Sequence, residues 1–461
     1  MRRLRMINKI KLIIGAASVF LTAGALGVSL IIPLVLLCLF IYLKLSKLNY
    51  SLLNLIFLFV IVFVSSYFII GQGMSTVYLL FSLIPMLATI LFGELEISLA
   101  LSLAAAVSVA MIRGGNFYLL VSFLVGGIAA SLLVLNARRR LDIIRAGLIV
   151  GILEAITLFL MDRLKVYYPL RYLMLTLNGV VSSFIVLGTL PIFEMLFKTT
   201  TNISLLELAD FNHPLLQRMI LEAPGTYYHS LVVGNLSEAA CRAVGANALL
   251  ARIGAYYHDI GKVEKAEYFS ENQNEEQSKH ERLVPTMSKM VIMNHVKDGM
   301  ELARKYKLNQ RIIDFIAQHH GKSLVYYFYR RALESLEDDQ EIKEEGFRYP
   351  GPKPDSKESA VVLLADSVEA ACRTLREPAP VKIEELVHKI INNKFIDGQL
   401  DECDLTLKNL ETIAAVFIRI LNGIYHSRIA YPEKDIKSES NHNKSPKENP
   451  HLSEKDKESS S

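Results

Sequence analysis

Hydrophobic positions divide the chain into two unlike parts. Residues 12 to about 197 are almost unbroken apolar sequence, whereas charges recur throughout the chain from Phe197-Lys198 onward. A helix needs roughly 20 apolar residues to cross a bilayer core. Apolar stretches at 12–43, 51–71, 76–93, 95–112, 117–135, 141–161 and 171–193, parted by short polar or glycine-rich breaks, predict seven spans. The first stretch exceeds one ordinary span and contains Gly24, Gly27 and Pro33. A tilted helix, an interfacial segment plus a helix, and a tight pair all satisfy it.

Basic residues orient the spans. Arg138, Arg139, Arg140 and Arg145 place the loop after the fifth span inside, with Lys44 and Lys47. Two crossings later, Lys198 and all that follows emerge in the cytoplasm. Arg163, Lys165 and Arg171 run against this register, and so does the basic start unless there are eight spans. A secretory signal over 1–43 is disfavoured, since no small-residue cleavage site introduces a soluble domain. Glu154 falls inside the sixth span and is read as a structural pairing or a position near the cytosolic end, because no repeated acids mark a transport path.

Beyond residue 198 the period changes to 3.6, without strand alternation. A helix is predicted to begin at Pro224-Gly225-Thr226, with His229, Val233, Leu236 and Ala240 on one face. Asn247 opens another through Leu250, Gly254 and His258. Ile312, Ile316 and His319 share a face, as do Val362, Leu363 and Asp366. The expected fold is all-α: a polytopic transmembrane bundle (1–197), a cytosolic all-helical domain of eight to ten helices (198–432) and a disordered polar tail (433–461). Residues 334–359, charged and then rich in Pro and Gly, are expected to be an exposed loop. The run from Asp397 to Asp404 hints at a calcium loop, but Lys408 stands where a bidentate Glu is required. Asp404 as a helix N-cap is the preferred account.

Composition adds little. The net charge is +4 in 461 residues, which selects no partner. The four cysteines, Cys38, Cys241, Cys372 and Cys403, form no CxxC pair. A disulfide scaffold or zinc–thiolate site is therefore excluded as the organising chemistry, and the soluble half reads as a protein of a reducing compartment.

Histidines carry the candidate chemistry. His258-Asp259 are adjacent at a helix end, where they can offer a nitrogen to one metal and a carboxylate between two. His319-His320-Gly321 pairs two imidazoles before a helix-ending glycine. These groups lie on separate helices whose apolar stripes converge on a core. A mixed imidazole–carboxylate shell without thiolate suits Mn, Fe or Mg. His213, His280, His388 and His426 are read as ordinary surface or core histidines.

The ordered set His229, His258-Asp259-Ile260-Gly261-Lys262, His295, His319-His320-Gly321 and Asp366-Ser367 resembles the HD-domain phosphohydrolases. More closely, the segments Ala223-Pro224-Gly225-Thr226-Tyr227-Tyr228-His229-Ser230, Gly254-Ala255-Tyr256-Tyr257-His258-Asp259, Tyr349-Pro350-Gly351-Pro352-Lys353-Pro354 and Leu364-Ala365-Asp366-Ser367-Val368-Glu369-Ala370 resemble the seven-transmembrane HD family of bacterial cyclic di-AMP phosphodiesterases. The resemblance implies that His229, His258, Asp259 and Asp366 hold one metal, and that Asp259 bridges to a second held by His295, His319 and His320. It implies two divalent ions, Mn or Fe, and two-metal hydrolysis of cyclic di-AMP to pApA. The implied partners are a cyclic dinucleotide and the bilayer, not polymeric nucleic acid; a homodimer stays open. The resemblance makes Asp259 the catalytic carboxylate, and Lys262 is either a phosphate contact or a surface residue.

Three departures stand out. Family members carry a large extracytoplasmic domain for which this chain has no room. Tyr228 stands where relatives often have a second His. No Gly-Tyr-Pro element follows His320, which argues against cyclic di-GMP. Rival readings are a nucleotide-sensing signalling protein with a degenerate site, and a transporter with a helical regulatory domain.

Overall fold

The computed structural model describes residues 52–72, 78–111, 117–161, 169–197, 199–273, 279–335, 342–376 and 378–425. The apolar stretch 12–43, His426 and the polar tail lie outside them. Among the described residues there is no strand; Leu324 and Arg348 form one isolated bridge.

The apolar half contains α1 (Leu52–Gly71), α2 (Leu83–Phe92), α3 (Leu95–Met111), α4 (Phe117–Val134), α5 (Arg140–Met161) and α6 (Pro169–Phe197). Four of these, α1, α4, α5 and α6, are long and apolar enough to cross a membrane. Of the expected span over 76–93, the described residues are α-helical only over Leu83–Phe92. Gly93, at φ +68°, ends α2 after 10 residues, about 15 Å of helix or half a bilayer core. Positions 84–89 of α2 are all buried, so it is an inner element of the bundle. The 17 described residues of α3 are at the lower end of what a crossing requires. Close approach joins α5 to α6: a Cβ on Gly179 would lie 2.2 Å from the Gly147 carbonyl oxygen.

Glu154 departs from its expected setting. It is buried in the distal part of α5, away from the Arg140 end, against Gly126 of α4, and its Oε1 has no hydrogen-bond partner among the described residues. The triple-arginine loop behaves as its parity requires. Arg140 pairs with Glu207, which puts that loop at the same end as the helical half.

The helical half contains ten further helices among the described residues. They are α7 (Asn202–Leu208), α8 (Pro214–Glu222), α9 (Pro224–Ala243), α10 (Ala248–Tyr257), α11 (Pro285–Lys305), α12 (Gln310–Gln318), α13 (Tyr326–Glu334), α14 (Lys357–Arg373), α15 (Pro380–Ile396) and α16 (Leu407–Ile424). Their starts follow local chemistry. Asn247 caps α10 by accepting from Leu250 N at 3.0 Å, and Asn309 does the same for Ile312 in α12. Capping boxes open α14 at Ser356 and α16 at Thr406. Thr406, not Asp404, is thus the N-cap of α16; the chain makes two more extended steps after Asp404 before turning helical. At the centre runs α14, whose positions 360–365 are wholly buried, enclosed by α9, α10, α12 and α15.

The expected exposed loop over 334–359 is a packed strap where it is described. Phe347 and Tyr349 are buried. Val325 N donates to the Phe347 carbonyl at 2.9 Å and Tyr349 N to Ser323 O at 3.0 Å. Arg348 reaches both oxygens of Asp397, at 2.9 and 3.1 Å. Proline and glycine marked the irregular backbone correctly. They said nothing about the aromatic side chains between them, which hold the segment down.

Candidate metal centre

Five helices each deliver a ligand-type side chain to one point. His229 projects from the first turns of α9, and His258 caps the C-terminus of α10, with Asp259 next to it. His295 lies midway along α11. His319 caps the end of α12, followed by His320, and Asp366 comes from the middle of α14. Two groups result, His229/His258/Asp259/Asp366 and Asp259/His295/His319/His320, each with one potential ligand atom per residue, all within 4.8 Å of one another. All seven sequence-predicted ligands are brought together.

Asp259 belongs to both groups, and its two oxygens divide between them. Oδ2 lies 3.1 Å from His258 Nε2 and 3.6 Å from His229 Nε2. Oδ1 lies 3.4 Å from His295 Nε2 and 3.5 Å from His319 Nε2. That is the geometry a bridging carboxylate needs. Asp366 closes the first group at 3.0 Å from His229 Nε2, while its other oxygen lies 3.4 Å from His320 Nδ1.

The helices themselves orient three of the imidazoles. The Nδ1 atoms of His258, His295 and His319 each face the carbonyl three residues earlier, on Ala255, Ile292 and Ile316. With Nδ1–H donated there, each Nε2 presents a lone pair inward. His295 Nε2 and His319 Nε2 then face each other at 3.2 Å, an arrangement that two lone pairs adopt comfortably only around a cation. His258 Nε2 and both oxygens of Asp259 are buried without an aligned hydrogen bond. The donor set and these orphaned atoms fit divalent cations.

Charges at the site are strongly coupled. Burial would raise the carboxyl of Asp259, but the adjoining His258 ring and the Lys262 ammonium hold it well below the usual carboxylate range. Burial likewise opposes ionisation of Asp366, and the hydrogen bond with His229, 3.0 Å away, reverses that. Burial pushes His295 down to about 3, and His320 also well below the ordinary imidazole value. Both are therefore neutral, the form that ligates. Lys262 is not a surface residue: its Nζ lies 2.8 Å from Asp259 Oδ2 and 2.8 Å from Glu271 Oε1. Burial disfavours its charge, but the Asp259 and Glu271 carboxylates beside it outweigh burial and keep it protonated.

Comparisons with known proteins place both halves of the chain among known sequences. A family model described as a 7TM receptor with intracellular HD hydrolase matches residues 20–201, and the HD domain model matches residues 226–371. The chain is 46% identical over 324 residues to the cyclic-di-AMP phosphodiesterase PgpH of Bacillus subtilis (strain 168), covering 69% of this chain and 45% of that protein. The chain carries both family-model domains and is homologous to this phosphodiesterase. Against the cyclic-di-AMP phosphodiesterase PgpH of Listeria monocytogenes serotype 1/2a (strain 10403S) the identity is 38% over 391 residues, 83% of this chain and 53% of that one. A crystal structure of the L. monocytogenes PgpH HD domain in complex with cyclic-di-AMP is 47% identical, covers 48% of this chain and all of that chain, and aligns with a TM-score of 0.45. The chain spans about half the length of the curated relatives it matches.

The residues set aside by sequence keep ordinary roles where they are described. His213 caps α8, and His280 faces the Tyr268 carbonyl. Tyr228 is 68% exposed and belongs to neither ligand group. Two residues of the site carried no individual assignment from sequence. Tyr349 lays its ring on His320, centroids 4.3 Å apart. Glu369 receives the Nδ1 side of His229 and is itself gripped by Arg373 at 2.6 Å. The signal for Glu369 was available: three positions after Asp366 on one helix, it must share that residue's face.

Glu369 orients His229 as a carboxylate partner of a ligand imidazole does. The expected result for Glu369→Ala is a fall of about 10–100-fold in metal affinity at the first group, with smaller losses for Glu369→Gln. Metal titration of the purified protein checks this; unchanged affinity in Glu369→Ala would remove the orienting role.

Proposed function

We propose that this protein is a membrane-anchored phosphodiesterase that hydrolyses cyclic di-AMP to pApA in a cytosolic HD domain spanning 198–432. The observation that carries the proposal is the split of the Asp259 oxygens between two ligand groups. The activity named for the PgpH relatives supports the substrate, and the triple-arginine loop at the HD end supports the cytosolic side. His229, His258, Asp259 and Asp366 would hold one divalent cation and Asp259, His295, His319 and His320 a second, with Mn or Fe best suited to this nitrogen-rich set.

Such ions supply Lewis-acid activation of water and charge neutralisation at the phosphoryl group. The protein contributes orientation and charge. Helix carbonyls fix three imidazoles, Glu369 fixes a fourth, and Lys262 keeps Asp259 ionised so that both oxygens accept. Burial of nearly the whole set excludes bulk water and strengthens each of these interactions. His320, with 21% of its side chain exposed, marks the open side where a substrate arrives.

The deciding experiment uses the full-length protein in detergent micelles with Mn or Fe. Cyclic di-AMP is added and the products are resolved by chromatography. Appearance of pApA, abolished by a chelator and restored by metal, is the expected result. Metal-loaded protein that binds cyclic di-AMP without cleaving it would instead establish a sensor.

A further inference from the structure

Two lysines approach the metal centre, and they are in opposite electrostatic situations. Lys262 is neutralised twice, by Asp259 and Glu271, each 2.8 Å away. Lys394, near the end of α15, is partly buried, and its Nζ donates to Ser323 Oγ at 2.7 Å. Among the described residues no carboxylate lies within ion-pair distance of Lys394 Nζ. An ammonium has three N–H donors, so two remain to be used.

The partner of Lys394 sits at the open side of the centre. Ser323 is buried three residues after His320, and its N–H donates to the His320 carbonyl at 3.1 Å. Its own carbonyl accepts from Tyr349 N, whose ring covers His320. Ser323 thus ties together the partly exposed His320 imidazole, the strap above it and the lysine beside it. Burial lowers the pKa of Lys394, opposed first by the charge of Asp366 and then by that of Asp397. The lysine is therefore withdrawn from water on the Asp366 side of the centre without a counter-charge in contact. Such a cation is stabilised when an anion arrives.

We propose that Lys394 anchors the substrate phosphate. Its Nζ donates to a nonbridging oxygen of the phosphodiester bound at His320 and Asp366, and Ser323 holds the ammonium in place. The assignment rests on the phosphodiesterase reading above, and it moves the phosphate-contacting role from Lys262 to Lys394. Lys262 instead pairs with Asp259 and Glu271.

The test compares Lys394→Met, Lys394→Arg, Ser323→Ala and Lys262→Met in the full-length, metal-loaded protein. Metal content, equilibrium binding of inorganic phosphate, and KM and kcat for cyclic di-AMP are measured. Lys394→Met should keep its metals yet bind phosphate about 10–100-fold more weakly, as expected for one charge-assisted hydrogen bond. Its KM should rise, Lys394→Arg should recover much of the loss, and Ser323→Ala should show a milder version. Lys262→Met should lose metal. Wild-type phosphate affinity in Lys394→Met, or metal loss in that variant, overturns the proposal. If wild-type protein binds phosphate through Lys394 but cleaves no cyclic dinucleotide, the phosphodiesterase reading fails while the anchor stands.

Discussion

Replacing Asp259 with asparagine is expected to reduce cyclic di-AMP hydrolysis by on the order of 10³-fold, with loss of at least one bound metal per chain. The side chain keeps its shape, so the effect isolates chemistry from packing. A carboxylate offers an accepting oxygen to each group, and here the two oxygens face different histidine pairs. An amide offers one oxygen and one NH2, and the NH2 would point its donors at imidazole Nε2 atoms or at a cation. The change also strips Lys262 of one of its two carboxylate partners. Elemental analysis and turnover should therefore fall together. An Asp259→Asn protein with two tightly held ions and near-normal turnover would show that the bridge is dispensable.

Gly261→Ala is expected to be almost as damaging, for a steric reason. A Cβ at Gly261 would lie 1.9 Å from the backbone carbonyl oxygen of His295 and 2.5 Å from Gly299 N. Both clashes are with the backbone of α11, which has no rotamer to change. The helix must shift away from the segment Ile260–Tyr268, carrying His295 off the second ligand group. Overpacking of this kind costs about 1–3 kcal/mol even in adaptable cores, and more when only main chain can move. Thermal denaturation should show the loss, and metal titration should show weaker binding at the group containing His295. Wild-type stability and metal affinity in Gly261→Ala would mean that these two backbones can part without disturbing His295.

The same glycine illustrates why much of the site was legible in sequence. His258-Asp259-Ile260-Gly261-Lys262 compresses two ligands, a close approach and a charge-setting lysine into five residues, each with a local reason to be there. Asn247, Pro224 and the 3.6-period apolar faces fixed the helices that carry His229, His258, His319 and Asp366, because caps and periodicity are local properties. What escaped was set by long-range packing. The stretch 76–93 has the composition of a span, but Gly93 and burial on all sides make α2 an inner helix. The strap gains its order from Tyr349 on His320 and Arg348 on Asp397, partners distant in sequence. Glu154 and Lys394 are defined by what surrounds them across other helices, which no window along the chain contains.

The carbonyls that receive His258, His295 and His319 belong to the same helices as the imidazoles, so ring orientation is settled when those helices form. Emptying the centre therefore need not unravel it. The scaffold can stand through a change of cation with these rings still aimed inward.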